Sequence, residues 1–180
     1  MIDDLQPILN RLPARASVSL ALASAARALK ALQRNSAVYS AAKTALKDAW
    51  QWEVEQNISA SQLYKHIYPL LLFEHTIDKD SAQLSALFST VSAMYYVTWI
   101  ADGYERLEPN SQSPLLPNDI AEISADTLSE CLAFASQTVE DQPSETNWQV
   151  NAIHKLIAND EVDTAESLKT PIFTEFFEDI

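Results

Sequence analysis

Residues 84–101 read LSALFSTVSAMYYVTWIA, and their spacing decides the fold. Leu84, Leu87, Phe88, Val91, Met94, Tyr95 and Trp99 recur at the three- and four-residue steps of a helix face. Between them lie Ser85, Ala86, Ser89, Ser92 and Ala93, all small and uncharged, so this helix suits enclosure on more than one side. We read it as the central helix, starting after Asp80-x-x-Gln83 and ending near Asp102-Gly103. Gly103 is the single glycine among 180 residues, which leaves little material for the hairpins and bulges of a sheet. Alanine and leucine, both strong helix formers, are abundant instead.

The same spacing extends both ways. Upstream, Leu5, Ile8, Leu9 and Leu12 predict a short helix over residues 2–11, closed by Pro13. A second helix is predicted over 14–34 and a third over 37–57, the latter carrying Trp50 and Trp52. Those two tryptophans cannot share one helix face, and Trp52 is the expected outward one. Ser59-x-x-Gln62 fits a capping box for a fourth helix over 60–77, which Pro69 should kink or split. Downstream, Pro109, Pro114 and Pro117 mark a long loop over 104–118. A helix over 117–139 and another over 145–158 follow, the latter capped by Ser144, and an acidic tail occupies 159–180. The expectation is all-α: one domain over 1–180, an antiparallel bundle of about seven to eight helices with short connections.

Little in this pattern points to catalysis or a cofactor. Glycine-rich phosphate loops are impossible with one glycine. His66, His75 and His154 match neither a zinc helix nor a di-iron bundle, so no metal is expected. Cys131, the single cysteine, lies among Leu128, Leu132 and Ala135 on an acidic helix, a setting for a core residue rather than a nucleophile. A lone cysteine also suits a reducing compartment. The opening Met1-Ile2-Asp3-Asp4 lacks the basic and apolar blocks of a secretory signal, and the apolar stretch 91–101 is short for a bilayer. A cytoplasmic protein is expected. The aromatics, Tyr95, Tyr96, Trp99 and Trp148 included, are more often core than a ligand cage.

Charge is the feature with a direction. Net charge is −13, yet residues 1–100 hold nine Lys/Arg and eight Asp/Glu, whereas 101–180 hold three and seventeen. Such a surface repels nucleic acid and anionic lipid and attracts basic proteins. Asp119, Glu122, Asp126 and Glu130 fall at steps of three and four, with no Lys or Arg among them. Like charges so spaced repel by a few tenths of a kcal/mol (about 0.2–0.5) per pair. Glu140, Asp141 and Glu145 follow, and the tail adds Phe173, Phe176 and Phe177 among further acids. The bland reading is a solvated face that aids solubility. The sharper one is a docking face made of these acids, with the three phenylalanines as anchors.

Three segments carry a resemblance: Leu12-Pro13 leading into an Ala-rich helix, the helix FSTVSAMYYVTW over 88–99, and NWQVNAIHKL over 147–156. In this layout the chain resembles the Imm6-type bacterial immunity proteins and the related uncharacterised DUF416 family. The resemblance implies an all-helical cytosolic protein that neutralises a toxin delivered by a competing cell. Many such toxins are basic nucleases, which suits an acidic inhibitor. It assigns no functional residue. Two other readings stay open: a helical adaptor without a toxin partner, and a small-ligand-binding domain built on the aromatics around Tyr96 and Trp99. A toxin gene next to this one would separate the first, and a deep polar pocket would favour the second.

Overall fold

The computed structural model describes residues 6–79, 81–107, 116–124 and 126–158. Among these the regular elements are all helical: α1 (Gln6–Leu9), α2 (Ala14–Ala28), α3 (Ala37–Glu55), α4 (Ala60–Tyr64), α5 (Ile67–Leu71), α6 (Ala82–Leu107), α7 (Asn118–Ala121), α8 (Asp126–Ser136) and α9 (Gln142–Ala158), with 3₁₀ turns at Leu29–Ala31 and Leu72–Thr76. The fold is all-α. The helix read from 84–101 is central, packing most extensively on α8 and α2 and touching α3, α4, α5 and α7 as well. At 26 residues α6 is long and apolar enough to cross a membrane by those two measures, longer than the apolar stretch suggests. However, 72% of its most apolar window is buried inside the protein, as befits a core helix.

A second helix shares the centre. Ala16 to Ala26 of α2 are buried without interruption. Small side chains make this possible, because Ala and Ser let neighbouring backbones approach on every side. Their hydroxyls need partners, and several donate to the carbonyl four residues back: Ser17 to Pro13, Thr90 to Ala86 and Ser136 to Leu132. Cys131 of α8 closes the junction, with Sγ 3.3 Å from the Ser89 carbonyl of α6 and 3.6 Å from the Ala21 carbonyl of α2. Burial pushes this thiol up to about 12, so it stays protonated.

Local chemistry explains where the helices stop. The capping box of α4 forms as read, with Ser59 and Gln62 satisfying each other's backbone N–H groups. Pro69 splits the predicted long helix, and the gap falls at Lys65 and His66, the fourth and third residues before it. That is the position where a proline ring meets the carbonyl of the preceding turn. Gly103 does not end α6, which continues to Leu107. The predicted helix over 117–139 is two helices, because Ser124 takes hydrogen bonds from Asp126 N on its side chain and Thr127 N on its carbonyl, redirecting the chain. Helix α9 starts earlier than expected, with Asp141 rather than Ser144 accepting from the first turn. Trp52 is buried and Trp50 half-buried, the reverse of the expected order.

Candidate functional site

The break at Ser124 changes the acidic face. Asp119 and Glu122 sit on and just after α7, whereas Asp126 and Glu130 occupy one face of α8, so the four do not form a single helical stripe. Glu122, Asp126, Glu130, Glu140 and Asp141 are all exposed. Asp126 accepts from the Gln6 side chain at 3.1 Å, which ties α1 to the start of α8. Asp141 accepts from Ser144 N at 3.2 Å as the cap of α9. Between residues 116 and 158 the sequence has a single Lys or Arg, Lys155. Phe173, Phe176 and Phe177 lie outside the described residues.

Two of the predicted docking acids make contacts that join helices. Asp119 Oδ2 accepts from Tyr64 OH at 3.0 Å and Tyr95 OH at 3.1 Å. This clamp fastens α7 to α4 and α6. Burial first, and then the Asp119 charge, push the Tyr95 phenol up to about 12, and Tyr64 moves in the same direction. Glu145 is the clearer correction, for it is buried rather than outward-facing. Arg27 of α2 gives it three hydrogen bonds of 2.6–3.2 Å and lies 4.3 Å from the centre of the Trp148 ring. An acid and an aromatic three residues apart on α9 therefore grip one arginine, by charge below and by the ring's π face above.

A matching pair stands at the other end of α2. Arg15 bonds the backbone carbonyl of Glu53 in α3, and its Nε lies 3.4 Å from Glu53 Oε1. Ser19 donates to the same carboxylate oxygen. Desolvation pushes the Glu53 carboxyl above its usual range, while Arg15 and Ser19 pull it down. The spacing of residues gave no sign of either arginine–glutamate pair. A signal existed, however: α2 carries no charge between Arg15 and Arg27, so those two mark the ends of a buried rod.

The remaining histidines and aromatics are placed without convergence. His66 Nε2 lies 2.8 Å from Asp48 Oδ2, and His75 and His154 are exposed. Tyr96 is buried with its ring 5.8 Å from that of Trp99, a packing contact. Among the described residues no group of three His, Cys, Asp or Glu side chains is arranged to hold a metal.

A family model described as Immunity protein Imm6 matches residues 15–138. This span runs from Arg15 at the start of α2 to the end of α8, and so takes in both central helices. No curated protein and no solved structure matches the chain.

Proposed function

Because the chain belongs to the Imm6 family of bacterial immunity proteins, whose partner is a cognate toxin, we propose that it neutralises a basic toxin, a nuclease in the first instance, through its acidic C-terminal surface. The observation that carries this reading is the set of five exposed acids: Glu122 just after α7, Asp126 and Glu130 on α8, and Glu140 and Asp141 just before α9. A field of one sign steers an oppositely charged partner and selects against wrong ones, acting mainly on the association rate. Inhibition by occupation needs neither a reaction nor a cofactor. On this reading the encounter occurs in the cytoplasm, where the buried Cys131 thiol remains reduced.

The test is co-expression with the toxin encoded beside this gene, followed by binding kinetics. We expect rescue by the native protein. Glu122→Lys, Asp126→Lys and Glu130→Lys together should slow association by about tenfold or more at low salt, with dissociation little changed. Added salt should shrink the difference. A toxin that is not rescued, or an association rate indifferent to the reversal, would defeat the proposal.

A further inference from the structure

The acidic surface has an apolar neighbour on α4 and α5. Leu63, Ile67 and Leu70 are buried and form the inward row of these two short helices. Lys65 and His66 between them keep right-handed helical angles, φ −60° with ψ −19° and φ −78° with ψ −24°, so the rows run on through the junction. Tyr64, Tyr68 and Leu72 follow one another at four-residue steps, each turning by only about 40°, and so make a single ridge. His66 falls on the opposite flank, where its Nε2 meets Asp48 of α3 at 2.8 Å. The ridge therefore begins on the side of α4 that meets α7, and Tyr64 is fastened there by donating to Asp119 Oδ2 at 3.0 Å.

Beyond that bond the ridge is open to solvent. Tyr68 is 67% exposed and Leu72 54%, and Pro69 between them is exposed as well. Lone hydrophobic side chains on a surface are ordinary, but two on one ridge beside a charged surface have the layout of an interface, an apolar centre within a polar rim. The rim along the segment itself is balanced, since the exposed Lys65, Glu74, Asp78 and Lys79 cancel in formal charge. Past Asp119 it turns acidic, with Glu122 exposed just after α7 and Asp126 and Glu130 following on α8. Pro69 fixes one backbone angle in the turn that carries both side chains, so less order remains to be lost on binding.

Charge and area identify the occupant. One tyrosine and one leucine offer far less than the about 800 Å² that each partner gives to a stable interface, so the contact has to extend beyond the ridge. Two copies of a chain with net charge −13 repel each other. The surface continuous with the ridge, through Tyr64 and Asp119, is the acidic one, and it calls for a basic partner.

We propose that Tyr68 and Leu72 anchor the toxin by entering an apolar recess bordered by its basic residues, while the exposed acids between 122 and 141 steer the approach. The assignment rests on the reading that the protein binds a basic toxin directly, and it adds the side chains that hold the complex together. Binding energy in interfaces concentrates in a few central residues, tyrosine prominent among them, rather than in the charged rim.

The test begins with the full chain alone. Tyr68→Ala and Leu72→Ala alter exposed side chains and should leave the urea midpoint close to native. The native protein should sediment as a monomer. A dimer that Leu72→Ala disperses would give the ridge a second copy as its occupant and overturn the assignment. The same holds if the Tyr68 ring signals, followed by NMR, move when Phe173→Ser, Phe176→Ser and Phe177→Ser are made together, for the occupant would then be the chain's own tail.

Binding to the toxin encoded beside the gene completes the test. Tyr68→Ala with Leu72→Ala should raise Kd by about tenfold or more, chiefly through faster dissociation and to the same extent at low and high salt. Tyr68→Phe keeps the ring and should stay within about twofold of native. The α8 reversals act instead on association, and their effect fades with salt. If the reversals weaken the complex and the ridge variants do not, or if the faster dissociation only follows a lowered urea midpoint, the ridge assignment fails and the proposed function stands. If no complex forms at all, both fall.

Discussion

Gln56 ends α3 in the left-handed region, at φ 52° and ψ 30°, and its N–H closes the helix on Trp52 O at 2.7 Å. A side chain held there costs about 1 kcal/mol, which glycine avoids at some expense of entropy in the unfolded chain. Gln56→Gly should therefore raise stability by about 0.5–1 kcal/mol, visible as a higher urea midpoint at unchanged slope. Nothing in the sequence marks this position, since Asn57 next to it is the more usual left-handed residue. Glu53 gives a prediction with a sign. Its folded carboxyl lies above the ordinary 4.5, so the native state holds that proton more tightly than the unfolded chain. Its contribution is thus most favourable below pH 4.5 and declines as pH rises through the raised folded value. Glu53→Gln should flatten the stability curve over that window, measured by urea titrations from acid to neutral pH. An unchanged slope would mean that the Arg15 pairing cancels the effect of burial.

Among the elements, α9 is held to α8 by the buried Gln149 amide and to α2 by one charged grip. Arg27 joins it to α2 through Glu145 and Trp148, and removing the arginine leaves a buried carboxylate without its main partner. Arg27→Ala should cost about 3–5 kcal/mol, with hydrogen exchange accelerated first in α9. Replacing both partners, Arg27→Met with Glu145→Leu, should recover much of the loss, because no charge is then stranded. If the double variant is no more stable than Arg27→Ala, the damage lies in packing and not in the orphaned charge. The elements also show how far local reading reaches. The capping box at Ser59 and the split caused by Pro69 were legible, because each acts within about one turn of helix. The division of α7 from α8 was not. Leu128, Leu132 and the acids keep a helical period through the break, and Ser124 is one serine among many.

Across the whole molecule, Cys131 reports on opening. It touches α2 and α6 from α8, beneath the most extensive packing in the protein. A disulfide reagent such as Ellman's should label it only as fast as the three helices separate. The labelling rate should rise in step with urea unfolding and respond to Arg27→Ala less than exchange in α9 does. Rapid labelling of the native protein would show that the junction opens locally. The charge asymmetry belongs to this scale as well. The seventeen acids beyond residue 100 are visible as a count, but those among the described residues divide into several roles. Glu145 and Asp119 hold helices, Glu105 accepts from Ala60 N at the start of α4, and five others face outward.

The sequence by itself determined the helical class, the central place of residues 84–101, several helix ends, the location of the negative charge and the family. All but the family follow from periodicity, capping and composition, which act over a few neighbouring residues; the family came from resemblance. Only the tertiary structure decided which acids are buried and that α2 is enclosed as fully as the middle of α6. Arg27 and Glu145 are 118 positions apart, and Arg15 and Glu53 are 38 apart. Whether a carboxylate faces water or an arginine depends on which distant helix lies against it, and spacing along the chain carries no record of that.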